Sequence, residues 1–259
     1  MECTFKNARL NYSVCGTEGL ALLLLHGFLE NQSMWQPLMA ALPAEQCVIT
    51  MDLPGHGKSE CLGYIHSMQD MAEAVKAVLY QEDIEEVQLV GHSMGGYVGL
   101  AFAKANQKQV KRIALLNSTP LADTEERKEI RLRATEAAQQ AYPALVSMSV
   151  ANLFAPKNHQ KLKTQINTVK EEALKTPVQG YIAAQLGMMQ REDHSDFWKT
   201  ATQSRCLILG QEDSLIDWKA HRALFKAYAP VVAIDSGHMS LIEKEEETIL
   251  QLLKFLKIE

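Results

Sequence analysis

One pentapeptide, Gly91-His92-Ser93-Met94-Gly95, restricts the fold of this chain more than any other stretch. The short apolar run Val87, Leu89 and Val90 stops at Gly91, and an apolar pattern of small residues resumes at Met94. That pattern predicts a buried strand turning sharply into a helix, with Ser93 at the turn. A nucleophile on such a strained turn needs neighbours without side chains, because a Cβ two residues away would collide with the elbow. The same placement puts the Ser93 hydroxyl at a helix N-terminus, where free backbone N–H groups favour a developing negative charge. A second reading makes Ser93 only the N-cap of that helix. The rest of the chain has to decide between them.

Residues 4–14 alternate loosely about Lys6-Asn7-Ala8, which predicts two strands joined as a hairpin. Residues 20–25 are continuously aliphatic, the pattern of a strand buried on both faces of a mostly parallel sheet. The run ends at His26-Gly27-Phe28, where a glycine lets backbone N–H groups face one point and bind an oxyanion. His26 itself is expected to bond the loop backbone. A helix over 33–42, capped by Ser33, and a strand over 47–51 follow. The ending Gly57-Lys58-Ser59 invites a phosphate-loop reading, but that motif requires glycine at position 52, where Asp52 stands, and the reading is excluded. Asp52 and His56 are expected to order a tight surface turn set by Pro54 and its glycines. An amphipathic helix over 68–80, the elbow strand, a helix over 95–105 and a strand over 110–116 complete a strand-helix alternation. That order implies a parallel sheet with right-handed crossovers and helices on both faces.

Beyond residue 119 the rhythm changes. Helical stretches over 125–141, 143–153, 160–174 and 178–189 follow one another, punctuated by Pro143, Pro156 and Pro177. A helical block between two sheet strands is expected to cap the strands' C-terminal edge, where ligands bind in open α/β sheets. The chain then divides into a core of residues 1–118 and 201–259 and an inserted cap of residues 119–200. Leu153, Phe154, Tyr181, Leu186, Met188, Met189 and Trp198 read either as cap core or as pocket wall. Methionines at such a boundary suit an adaptable apolar pocket. Phe28, Met94, Met188 and Trp198 are the expected substrate contacts. The sheet resumes over 205–209, followed by a helix over 218–228, a strand over 231–234 and a closing amphipathic helix over 243–256.

Ser93, Asp213 and His238 each stand just after a separate predicted strand, so all three share one edge of the sheet. A hydroxyl nucleophile, a carboxylate that fixes a histidine tautomer, and an imidazole that shuttles the proton need that arrangement. Asp217 and Asp123 are the alternative carboxylates. The motifs His26-Gly27-Phe28, Asp52-Leu53-Pro54-Gly55-His56-Gly57-Lys58-Ser59, Gly91-His92-Ser93-Met94-Gly95-Gly96, Gly210-x-x-Asp213 and Gly237-His238 cover nearly the whole chain. Together they resemble the α/β-hydrolase superfamily, and in particular its small capped serine esterase-type members.

The resemblance implies an α/β-hydrolase fold: a mostly parallel central sheet flanked by helices, with a helical cap inserted after the sixth strand. It also implies Ser93 as nucleophile, Asp213 as the acid member, His238 as the base, and the N–H groups of Phe28 and Met94 as the oxyanion hole. No metal or other cofactor is implied. The spacing from Gly210 favours Asp213 over Asp217, and His92 is expected to point away from Ser93 and pack. Serine at position 93 excludes the haloalkane dehalogenases and epoxide hydrolases of this superfamily, whose covalent ester forms on a carboxylate. The implied activity is hydrolysis of small carboxylic esters or related acyl compounds through an acyl-enzyme. The same triad serves carbon–carbon bond hydrolases, amide, thioester and lactone hydrolases, and menaquinone-pathway lyases. For a lyase, arginines would hold a dicarboxylate, and Arg191 is the candidate. A small-molecule receptor on the same fold is a further reading, against which the intact Ser, Asp and His weigh.

The whole-chain properties agree. At 259 residues, with 47% hydrophobic and 22% charged residues, the chain can bury a large core. Its net charge of −5, with both signs interspersed, gives no surface for nucleic acid or anionic lipid. Cys3, Cys15, Cys47, Cys61 and Cys206 are scattered without a Cys-x-x-Cys pair, as expected of reduced thiols in a cytoplasmic protein. Glu2, Lys6 and Arg9 interrupt the first residues, unlike a signal peptide, and no long apolar run reads as a membrane span. The expected partner is a small molecule with an apolar acyl or alcohol part, bound by a monomer or homodimer.

Overall fold

The computed structural model describes residues 1–258. Strands β1 (Glu2–Phe5) and β2 (Ala8–Cys15) form the opening hairpin. Lys6 and Asn7 at its tip have φ of 47° and 63°. Positive φ at both central residues is what a two-residue turn needs to match the twist of its strands. The hairpin is followed by β3 (Glu18–Leu25), β4 (Gln46–Met51), β5 (Val87–His92), β6 (Val110–Leu116), β7 (Ser204–Gly210) and β8 (Val231–Ile234). They form one eight-stranded sheet in the order β1-β2-β4-β3-β5-β6-β7-β8. The pairs β1/β2 and β2/β4 are antiparallel, and every other pair is parallel.

Helices α1 (Gln36–Ala40), α2 (Met68–Gln81) and α3 (Met94–Ala105) alternate with these strands. Between β6 and β7 lie α4 (Glu125–Ala151), α5 (Lys163–Ala173), α6 (Val178–Met189) and α7 (Ser195–Thr200). The chain closes with α8 (Trp218–Phe225), α9 (Ser240–Glu243) and α10 (Glu245–Leu256). The aliphatic run of β3 explains the two-layer covering. Leu23 and Leu25 pack with Val75 and Val78 of α2 and Val98 and Phe102 of α3, while Leu22 and Leu24 face Trp35, Leu38, Ile249 and Leu252. Each fully buried leucine contributes about 1.5–3 kcal/mol. A third apolar cluster joins Ala138, Val146, Phe154 and Tyr181 of the insertion to Leu29 and Met239 at the sheet edge.

The two helices predicted over 125–141 and 143–153 are one bent helix. Ala141 leaves helical geometry (φ −143°, ψ 46°) two residues before Pro143, because a proline ring clashes with the preceding turn and removes a backbone donor. Helices α7 and α9 were not predicted. The 52–59 loop also differs from expectation: Pro54, Gly55 and His56 are buried rather than on the surface. The cause lies far along the chain. A Cβ on Gly180 would stand 2.1 Å from Gly55 O and one on Gly187 1.7 Å from His66 O, so α6 rests directly on this loop and on the segment that follows it.

Strand β3 leads to β4 on one side and β5 to β6 on the other, which makes the gap between β3 and β5 the topological switch point of the sheet. The register aligns Leu25 with Gly91, His92 with Leu116, Leu116 with Ile208, and Gly210 with Ile234. The loops carrying Phe28, Ser93, Asp213 and His238 therefore leave the same edge. Among the described residues, no helix is long and apolar enough to cross a membrane. No group of three or more His, Cys, Asp or Glu among them is placed to hold a metal ion.

Candidate active site

Ser93 occupies the turn between β5 and α3 with φ 48° and ψ −115°. A non-glycine residue in such a region stores about 1–3 kcal/mol of strain and persists only where its surroundings hold it. They do so here: Ser93 N–H donates to Leu116 O (3.0 Å), and Ser118 Oγ donates to Ser93 O (2.7 Å). The flanking glycines are sterically required, since a Cβ on Gly91 would lie 2.5 Å from Gly95 O and one on Gly95 2.1 Å from Leu25 O. The N–H of Met94, first in α3, has no acceptor among the described residues, and neither has the N–H of Phe28. Gly27 N–H is instead taken by Glu30 Oε2 (2.6 Å).

His238 lies between the other two residues. Its Nδ1 is 2.7 Å from Asp213 Oδ2 and its Nε2 2.9 Å from Ser93 Oγ. The carboxylate can only accept, so Nδ1 carries the proton and Nε2 is free to accept from the serine hydroxyl. Asp213 is held by Leu215 N–H (2.8 Å), Ile216 N–H (3.2 Å) and Asn117 Nδ2 (3.1 Å). Burial alone raises a carboxyl pKa. Here the facing His238 and these donors outweigh it and hold Asp213 below the usual carboxylate range. Asn117, with φ 44°, also donates to Gly237 O (3.2 Å) and so ties the Asp213 loop to the His238 loop.

His92 does not simply pack. Its Nδ1 is 2.8 Å from Glu30 Oε2 and its Nε2 3.1 Å from the carbonyl of His238. Both ring nitrogens face acceptors, which makes the ring an imidazolium beside a carboxylate. Burial pulls the His92 pKa down, but the adjacent Glu30 outweighs it and the net direction is up. Burial likewise pushes Glu30 up, and the His92 charge and hydrogen bond carry it below its ordinary value. The pair thus fixes the backbone of His238 from behind. His26 behaves as expected: its Nε2 accepts Leu53 N–H (2.8 Å), and Nδ1 lies 2.7 Å from Gly27 O.

A cavity of about 340 Å³ opens over Ser93. Phe28, Tyr181, Met188, Leu145 and Leu153 supply much of its apolar wall, together with Arg127 and Arg131. Of the expected contacts, Phe28 and Met188 line this cavity. Trp198 does not: its indole is fully buried in the core beside Met188 and does not line the cavity. The Met94 side chain is likewise wholly in that core, leaving only its N–H to face the site. The rival carboxylates are engaged elsewhere. Asp217 caps α8 by accepting Lys219 and Ala220 N–H, and Asp123 pairs with Arg131 and Arg191. Arg191 is held by that carboxylate and by the carbonyls of Leu121 and Met188. Sequence reasoning missed Glu30, Asn117, Arg127 and Arg131. For the two arginines the signal was present, as a four-residue spacing on a predicted helix.

A family model described as alpha/beta hydrolase fold matches residues 21–245. The dihydrolipoyllysine-residue acetyltransferase component of the acetoin cleaving system from Pseudomonas putida is 29% identical over 95% of this chain, which spans 66% of that protein's length. The pimeloyl-[acyl-carrier protein] methyl ester esterase of Aliivibrio salmonicida is 27% identical, the match covering 93% of this chain and 94% of that protein. Among solved structures, a thermophilic esterase from Thermogutta terrifontis superposes with a TM-score of 0.92 at 26% identity, covering 99% of this chain and 97% of that one. A model match of this extent, on a sheet whose switch point carries the elbow, places the chain in the alpha/beta hydrolase fold family.

Proposed function

We propose that this hydrolase cleaves small carboxylic esters or related acyl compounds through a Ser93 acyl-enzyme. The observation that carries the reading is the unbroken line from Asp213 Oδ2 through His238 to Ser93 Oγ, with links of 2.7 and 2.9 Å, beside the two free N–H groups. His238 Nε2 takes the Ser93 proton as Oγ attacks the acyl carbon. The carbonyl oxygen becomes an oxyanion held by Phe28 and Met94 N–H. Collapse breaks the bond to the alcohol oxygen, which leaves with the proton from His238. Water then gives a proton to His238 and attacks the acyl carbon, and Ser93 departs with that proton, releasing the acid. Asp213 stays ionised throughout and holds the imidazole in the tautomer this exchange needs. The inserted helices act as a cap that shapes the acyl pocket.

The test is hydrolysis of p-nitrophenyl esters from acetate to long acyl chains, by wild type and Ser93→Ala, with fluorophosphonate labelling alongside. Turnover that vanishes with Ser93 supports the reading. Stoichiometric labelling with no ester turned over rejects it in favour of carbon–carbon hydrolysis, lyase chemistry or reception on the same site.

A further inference from the structure

The inserted wall of the cavity carries more positive charge than the protein neutralises. Arg127, Ile130, Arg131 and Ala134, at helical positions i, i+3, i+4 and i+7 of α4, present one face to the cavity. Asp123 serves two guanidinium groups at once, Arg131 Nε at 2.5 Å and Arg191 Nη1 at 2.6 Å. Arg131 also donates to Gln185 Oε1 (2.8 Å), and Gln185 Nε2 to the Tyr181 hydroxyl (3.2 Å). Asp123 itself does not line the cavity; the carboxylate that does, Glu30, is matched by His92.

Arg127 is left over. It is half-buried, and its guanidinium makes no hydrogen bond or ion pair among the described residues. Burial, reinforced by the neighbouring Arg131 and Arg191 charges, moves its pKa below the usual arginine value. Guanidinium stays protonated in proteins, so that shift marks a cation in want of a counter-ion. The Tyr97 hydroxyl is likewise without a partner among the described residues, although its ring lies under Arg191 (4.0 Å) and lines the cavity. Tyr97 is four residues beyond Ser93 on α3, about 6 Å along the helix axis.

We propose that Arg127, together with Tyr97 and Arg131 on the same cavity wall, is a subsite for a carboxylate carried by the substrate. The inference rests on the reading of Ser93 as the acyl-accepting nucleophile and names its substrate class: short esters or lactones that bear a free acid. A planar guanidinium and a phenol together supply the bidentate and single donors that a carboxylate accepts. Ser93, Tyr97 and Arg127 line one cavity of about 340 Å³, which limits the spacer between that acid and the reacting carbonyl to a short one.

The experiment compares kcat/KM for methyl hydrogen glutarate and methyl hydrogen adipate with the neutral methyl esters of equal length, in wild type, Arg127→Gln and Arg127→Lys. An acetate ester of a short hydroxy acid places the charge on the alcohol side and shows which half of the substrate the subsite reads. The wild type is expected to prefer the charged member of a pair by at least about tenfold. Arg127→Gln is expected to erase that ratio mainly through KM, and Arg127→Lys, which keeps the charge but not the bidentate fork, to keep only part of it. Equal use of charged and neutral esters by the wild type, or a ratio that survives Arg127→Gln, overturns the proposal. If no ester is turned over, calorimetric binding of glutarate and adipate to Ser93→Ala decides the matter separately. Binding lost on adding Arg127→Gln upholds the subsite while the ester reading fails, and no binding overturns the subsite as well.

Discussion

The loops at the sheet edge and the inserted helices above them face the same cavity, but they hold their polar groups differently. At the edge, Ser93, Asp213 and His92 are each tied to backbone or to a matched partner. Behind the inserted wall one carboxylate, Asp123, serves two guanidinium groups, while Arg127 on the wall has none. On the proposed reading the difference separates two tasks. Groups that move protons need positions held to tenths of an ångström, and a saturated bonding network provides that. A wall that selects among substrates works with donors left open for the ligand to fill.

The comparison breaks most visibly at its chemical end. Ser93→Ala is expected to lower kcat on the order of 10⁵-fold for every ester tested while leaving the unfolding midpoint nearly unchanged. A loss confined to some esters would mean that the edge also selects. Next in size is Glu30→Gln, which leaves a buried imidazolium without its counter-ion. It is expected to remove about 3 kcal/mol from the free energy of urea unfolding and to slow all esters together, because His92 holds the His238 carbonyl. A loss below about 1 kcal/mol would show that the edge does not depend on this pair.

Acid tests the seam between the two regions. Burial pulls His56 down to about 3 and His66 to about 4, and both lie in the loop beneath α6. Their folded values are below the unfolded value near 6.5, so the unfolded chain takes up protons first. Stability is then fully present above about pH 6.5 and falls below it by roughly 1.4 kcal/mol per pH unit for each ring, down to about pH 4 for His66 and about pH 3 for His56. At pH 5 that is about 2 kcal/mol per histidine, read as a falling melting temperature. A melting temperature unchanged from pH 7 to pH 5 removes these rings from the account. The smallest effect belongs to the wall. Met148, 60% exposed at the cavity rim, is expected on change to alanine to alter acyl-length preference by a few-fold and stability by under about 0.5 kcal/mol. A uniform loss across chain lengths would erase the division of labour.

Local patterns made the edge legible. Gly91 and Gly95 announce a turn that only glycine can flank, and aliphatic runs ending at Leu25, Leu116 and Leu209 place each loop at the same sheet edge. What escaped the sequence was set by contacts across long separations. Glu30 reaches His92 only once β3 and β5 are neighbours. The 52–59 loop has the composition of a surface turn, and its burial is decided by small residues on α6. Trp198 and Met188 look alike as apolar residues late in the insertion, and nothing local says that one faces the core alone. Arg127 and Arg131 were readable as one helix face, but the direction of that face depends on partners such as Gln185 of α6, 54 residues along the chain.

That bend carries a further consequence. The stretch after it is fastened at both ends, by Tyr142 OH donating to Thr176 O (2.6 Å) at one side and by Ser214 Oγ to Asn152 O (2.9 Å) and His238 N–H to Leu153 O (2.7 Å) at the other. Between these fastenings, Leu145, Met148 and Ser149 border the cavity. A segment pinned at two points makes a collar, not a flap. Admission to Ser93 is then governed by girth: among esters of equal carbon number the linear isomer passes and the branched one is sieved out, as a comparison of their hydrolysis rates would register.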